Sequence, residues 1–236
     1  MFPLRDSIPS FRPPVVNVMI ITACAATFLF ELTLGPQLNS FLRAYAFVPV
    51  RFFHPAAFEV GLAFNAQSML LSMFLHGGWF HIIGNMWFLW VFGDNVEDIL
   101  GHGRYLLFYL FCGTAAALGQ AVVAPMSPVP MIGASGAIAG VLGAYLVMFP
   151  WSKVKTLIFL GFFITMADLP ASLFLVLWFV IQFFSGTLSL AAAGGAAGGV
   201  AFWAHVGGFV AGVTVAFFLR DRARQQYQPV RAIRWE

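Results

Sequence analysis

Apolar residues in this chain run in unbroken stretches of membrane-spanning length, without the alternation of a strand or the single stripe of a soluble helix. A helix needs about 20 residues to cross roughly 30 Å of hydrocarbon, and on that criterion spans are expected near 15–34, 80–100, 104–124, 135–150, 170–186 and 199–219. The stretch 156–184 would be about 43 Å long as one helix, but Asp168 and Pro170 interrupt it. Residues 156–168 are therefore expected as a re-entrant or interfacial piece. The expected fold is an all-α membrane protein, a six-transmembrane-helix bundle in one domain over 15–219, with an N-terminal tail at 1–14 and a basic tail at 220–236. The loop 35–78 is long for a membrane protein and is expected to hold short interfacial helices.

Composition narrows the class. The chain is 61% hydrophobic and 9% charged, with a mean hydropathy of +0.87, outside the range of soluble domains. Arg5, Asp6 and Arg12 lead through Pro13 and Pro14 straight into a full-length span, unlike a cleavable signal. With six spans, Arg5, Arg12, Arg104, Lys153, Lys155, Arg220, Arg222, Arg224, Arg231 and Arg234 fall on one side, and Arg43 and Arg51 on the other. The positive-inside rule then sets both termini in the cytoplasm and the first, third and fifth loops outside. The net charge of +3 belongs to span ends and forms no stripe with interleaved aromatics, so no nucleic acid is expected as a partner. Cys24 and Cys112 lie in apolar segments and read as small hydrophobes.

Polar groups inside spans are costly and turn toward the bundle interior, which makes each a candidate for function. Ser135 opens the fourth span in Gly133-Ala134-Ser135-Gly136, His205 lies in the sixth, and His81 and Asn85 stand one turn apart in the second. If the fourth helix ends at Pro150, Ser135 lies about 8 Å below the outer boundary. His205, six residues into a descending helix, lies about 9 Å below it, and Asn85, fifteen residues before Leu100, is at about the same depth as Ser135. Gly136, Gly140 and Gly143 form a small-residue ridge on the fourth helix, and Gly208 and Gly212 form one on the sixth, so the two backbones can approach closely.

A serine beside a histidine is a nucleophile with its base: the imidazole takes the hydroxyl proton, then gives it to the leaving amine. Backbone N–H groups at the start of the fourth helix, from Ser135 onward, with Asn85 and His81, would face the developing oxyanion. No carboxylate is placed to orient His205, so a dyad is expected. Taken singly, Ser135 also fits a helix N-cap, His205 a structural hydrogen bond between helices, and His81 with Asn85 a clamp on the second helix. No metal is expected, since His76, His81 and His205 lack an HExxH pair or a cysteine-based set, and no cofactor is implied. Asp94, Glu97 and Asp98, with His102 and Arg104, read as a salt-bridged helix end, and Glu31 as interfacial.

The motifs resemble those of rhomboid intramembrane serine proteases over the six-helix core, roughly 15–219. His76-Gly77-Gly78-Trp79-Phe80-His81 followed by Asn85 is similar to the family's HxxxxHxxxN signature. Gly133-Ala134-Ser135-Gly136 resembles its GxSG motif, and Ala204-His205-Val206-Gly207-Gly208 with Gly212 its final-helix histidine motif. The resemblance implies Ser135 as nucleophile, His205 as base, His81 and Asn85 at the oxyanion site, and His76 supporting the surrounding loop. It also implies single-pass transmembrane protein substrates cut near the outer face; the lipid bilayer is expected to be that of a bacterial inner membrane. Two departures stand out. Many members carry a Trp-Arg pair in the first loop, where this chain reads Gln67-Ser68-Met69-Leu70-Leu71-Ser72. In some members an aromatic side chain one turn after the nucleophile stacks on the histidine, where this chain has Ala139.

Two other functions compete: a rhomboid-like pseudoenzyme that binds or escorts membrane proteins, and a small transporter. The first is disfavoured by the retained Ser135 and His205. The second predicts ionisable residues at several depths rather than one.

Overall fold

The computed structural model describes residues 1–59, 61–160, 163–192 and 201–233. Helices stand at each of the six expected positions: α1 (Val15–Thr33), α5 (Trp79–Leu100), α6 (His102–Val123), α7 (Ser135–Met148), α8 (Ala171–Ala192) and α9 (Phe202–Phe217). Residues 199 and 200, expected to open the sixth span, lie outside the described residues. Among the described residues, Val15–Thr33, His102–Val123 and Ala171–Leu188 are long and apolar enough to cross a membrane unaided. The first loop carries the short helices α2 (Leu38–Tyr45), α3 (Pro49–Phe53) and α4 (Leu62–Ser72).

The 14-residue α7 is central. Its sequence is apolar or small on every side, and such a helix has no face to offer water, so it is buried all round. From Gly136 to Tyr145 every residue is buried. At about 21 Å it is shorter than the roughly 30 Å of hydrocarbon, so the adjoining chain completes the crossing and its N-terminus begins inside the bundle. Glycine lets its neighbours come close. A Cβ on Gly208 would lie 2.0 Å from the backbone oxygen of Gly136, and one on Gly212 1.9 Å from that of Gly140. The expected ridges on α7 and α9 therefore meet. A further contact, unread in the sequence, joins α9 to α6: a Cβ on Gly119 would lie 3.2 Å from the Cα of Gly207.

Residues 156–168 depart from expectation. Their described residues are strand rather than helix, belonging to the antiparallel pair β2 (Lys153–Leu160) and β3 (Phe163–Pro170). Alternation explains it: Val154 and Thr156 are buried while Lys153 is exposed, the two-residue period of a strand. β1 (Phe2–Asp6) pairs antiparallel with β2, so the stretch 1–14, expected as a tail, is partly folded into a three-stranded sheet of order β1-β2-β3. The Trp87 indole on α5 donates to the Pro3 carbonyl at 2.5 Å and fastens β1 to the bundle. The basic tail likewise forms α10 (Arg220–Ile233), whose Tyr227 hydroxyl donates to Asp98 at 2.6 Å. Arg234 lies outside the described residues.

The acidic end of α5 also differs from a simple salt-bridged terminus. Glu97 does meet His102 Nδ1, at 2.5 Å, but its other contacts are the backbone N–H groups of Val16 and Asn17. Asp98 accepts from Phe11 N–H, Gln226 and Tyr227, with Arg12 4.0 Å away. Glu31 is buried, and both its oxygens accept from the His76 backbone N–H at 3.2 Å.

Candidate active site

The site is built where α7 starts. Gly133 takes φ +115°, a conformation that L side chains rarely adopt, and its N–H donates to the Ser72 carbonyl at 2.8 Å. A Cβ there would lie 2.6 Å from His81 Nε2 and 3.5 Å from Asn85 Nδ2, so the missing side chain also makes room for both. Two residues on, Ser135 is the first of α7. The first bond of that helix runs from Ile138 N–H to the Ala134 carbonyl, which leaves the N–H groups of Ser135, Gly136 and Ala137 without a partner inside the helix. In an α-helix such groups are directed out of its N-terminal end.

Ser135 Oγ and His205 Nε2 are 2.8 Å apart, across the glycine seam of α7 and α9. His81, Asn85, Ser135 and His205 all line one cavity of about 680 Å³, which continues down past Ile138 and Leu142 on α7 and Phe88 on α5. Asn85 Nδ2 is buried with no hydrogen-bond partner, an amide donor left facing the cavity. His76 lies outside the cavity lining. It is fully buried, with Nδ1 3.1 Å from the Phe74 carbonyl and its ring 5.3 Å from that of His81, so it ties the loop before α5 to α1 through Glu31. Burial holds its imidazole down to about 4, and it stays neutral at ordinary pH. Gly136 packs against α6, where a Cβ would lie 2.6 Å from that of Ala116.

Several residues at the site were not singled out from the sequence. His205 Nδ1 faces Gln182 Oε1 at 2.7 Å, and the Trp178 ring lies 5.9 Å from the imidazole, both from α8. The expected place for such an aromatic group was one turn after Ser135, where Ala139 stands; Trp178 brings one from another helix. Gln182 had a signal, a lone amide in an apolar span, the criterion that picked out Asn85. Gln120 on α6 also lines the cavity, and its Oε1 is buried without a partner. Among the described residues no group of three or more His, Cys, Asp or Glu side chains is arranged to hold a metal ion.

A bundle of long apolar helices with a polar cavity let into it defines a multi-pass integral membrane protein. The family model for the Rhomboid domain matches residues 64–222, two thirds of the sequence, and the chain belongs to the rhomboid family. Over 78 residues it is 44% identical to "Rhomboid protease GluP" of Bacillus subtilis, covering 33% of this chain and 15% of that protein. It is 34% identical over 96 residues to "Rhomboid-like protein 11, chloroplastic" of Arabidopsis thaliana, covering 39% and 34% respectively. It is 28% identical over 167 residues to "Rhomboid protein 1, mitochondrial" of Saccharomyces cerevisiae, covering 68% and 44%. The matched stretch spans less than half the length of each of these relatives.

Proposed function

We propose that this chain is an intramembrane serine endopeptidase that cuts single-pass transmembrane proteins near the outer end of their helix, through Ser135 and His205. The observation that carries the reading is the 2.8 Å contact between Ser135 Oγ and His205 Nε2 at the wall of the cavity. Nε2 accepts the serine proton as Oγ attacks the scissile carbonyl, and returns it to the leaving amine. Water then releases the acyl group by the same route reversed. The developing oxyanion faces the free N–H groups of Ser135 and Gly136, the Asn85 amide and His81. The substrate strand must unwind to reach Ser135, because backbone already bonded in a helix hides its carbonyl, which favours segments rich in small or helix-breaking residues.

In this reading 15–219 is the six-crossing membrane domain, both termini are cytoplasmic, and the membrane is a bacterial inner membrane. The division of basic residues supports the orientation. The test is cleavage of a fluorescent single-span substrate by purified protein in detergent, with Ser135→Ala and His205→Ala alongside. Loss of cutting in both is expected, with the fold kept, since the serine hydroxyl contributes at most a cap of about 1 kcal/mol. Absence of cutting by the unaltered chain, together with no labelling of Ser135 by a fluorophosphonate, would overturn the reading in favour of a binding role without catalysis.

A further inference from the structure

His205 is held at both ring nitrogens, and only Nε2 is used by the serine. A neutral imidazole carries one proton, on either nitrogen. With the proton on Nε2, the ring would donate to Ser135 Oγ and could not take its proton. With the proton on Nδ1, the Nε2 lone pair faces the hydroxyl. The choice is set by what stands at Nδ1, and there the structure has the side-chain oxygen of Gln182 at 2.7 Å.

We propose that Gln182 is the positioning residue of this site: its amide oxygen accepts Nδ1–H, holds His205 in the Nδ1–H tautomer and so leaves Nε2 free to accept the serine proton. This rests on the Ser135–His205 reading and adds a third group to it. A carboxylate would favour the same tautomer more strongly, but an ion at this depth in a membrane is expensive, and a neutral amide gives the acceptor without the charge. The amide is also held by packed helices. Trp178, one turn before Gln182 on α8, packs on His205, and both Trp178 and Phe179 pack on Phe209, one turn after His205 on α9. Two residues on one helix thus meet two on the other at matching spacing, which fixes the ring plane as well as its tautomer.

The test compares the unaltered full chain with Gln182→Leu and Gln182→Glu, with Ser135→Ala and His205→Ala as controls, on the same single-span substrate. Gln182→Leu should lower kcat by about 10- to 1,000-fold with KM little changed, below the ~10⁴-fold loss known when a triad carboxylate is replaced. Gln182→Glu keeps a carbonyl oxygen whether or not it is protonated, and should stay within about threefold of the unaltered chain. An unchanged kcat in Gln182→Leu, with both controls inactive, would overturn the positioning role and leave the dyad standing. Cleavage that persists in Ser135→Ala would instead remove the dyad reading. Should Gln182→Leu fail to fold, ¹⁵N NMR of the histidine-labelled unaltered chain decides, with the His205 signals identified by their loss in His205→Ala. A proton on Nδ1 and a bare Nε2 are expected, and a proton on Nε2 would overturn the proposal.

Discussion

Glu97 on α5 accepts hydrogen bonds from the backbone N–H groups of Asn17 at 2.7 Å and of Val16 at 2.9 Å, so the C-terminal end of one helix caps the start of another. The need arises locally. α1 begins after Pro14, whose side chain has no oxygen to accept from the first turn. The carboxylate is buried and also meets His102, and Asn17 in turn takes the Tyr105 hydroxyl at 2.8 Å and donates to the Leu89 carbonyl at 3.0 Å. Three helices are joined at this point.

Replacing Glu97 with leucine leaves one buried and one part-buried N–H group without an acceptor, and a loss of about 2 to 4 kcal/mol is expected. Glu97→Gln keeps one acceptor oxygen and should lose less. Thermal unfolding in detergent measures both, and equal melting temperatures for the two variants would contradict the capping role.

At the glycine seam, Gly212→Ala sets a methyl group 1.9 Å from the Gly140 backbone oxygen, where no flexible side chain can yield. α9 must move off α7, which would lengthen the 2.8 Å Ser135–His205 contact as well as loosen the bundle. A loss of more than about 2 kcal/mol is expected, with activity reduced even below the melting temperature. Stability and rate measured on one preparation check this, and a variant that is stable and fully active would refute the close approach.

Helix positions, and the convergence of Ser135, His205 and Asn85 on one cavity, were legible because span length and rise per residue are properties of the chain itself. The paired strands β2 and β3 were missed because the total hydropathy of this stretch resembles a helix. Its strand period shows only in Lys153, Val154, Lys155 and Thr156, a four-residue signal beside a long apolar run. The contacts of Glu31 with His76 and of Asn17 with Glu97 were not legible because the partners are 45 and 80 residues apart. Trp178 was beyond reach for another reason. Among the many aromatic residues of apolar helices, spacing does not say which one faces a histidine on another helix.

The first loop holds its shape without a Trp-Arg pair. The Arg51 guanidinium donates to the carbonyls of Arg43 at 2.9 Å, of Ala44 at 3.5 Å and of Ala46, and lies 5.5 Å from the centre of the Phe64 ring. A forked, planar donor is needed to reach several carbonyls at once, so Arg51→Lys should recover little of what Arg51→Ala loses. Limited proteolysis in the loop should quicken by several-fold in both. Lysine behaving like arginine would show that charge alone suffices.

A pH effect is expected from Asp6, which accepts from the Tyr145 hydroxyl. Burial pushes its carboxyl up to about 7 from an ordinary value near 3.8, with the Tyr145 hydrogen bond partly opposing. The folded state therefore holds this proton more tightly than the unfolded chain. Its contribution to stability is full below about 4 and is lost as pH rises through 7. His76, held down to about 4, works in the opposite sense, destabilising the fold as pH falls from 6.5. The difference between Asp6→Asn and the unaltered chain isolates the first effect: the variant should lose melting temperature relative to the parent as pH falls from 7 to 4. A difference constant over that range would show that Asp6 does not titrate there.

Asn85 offers the sharpest test of how the cavity treats charge. Its Nδ2 is buried without a partner, which ordinarily costs about 1 to 3 kcal/mol in a folded protein. A purely structural clamp would have used that donor. Left free beside Gly133, in the cavity that Ser135 also lines, it is suited to an oxygen that becomes negative only during reaction. Asn85→Ala should then lower kcat by up to about 100-fold, because the backbone N–H groups remain, while KM changes little. Melting temperature should hold or rise, since a buried unsatisfied amide has been removed. A fall in stability with kcat unchanged would return Asn85 to the role of a clamp on α5.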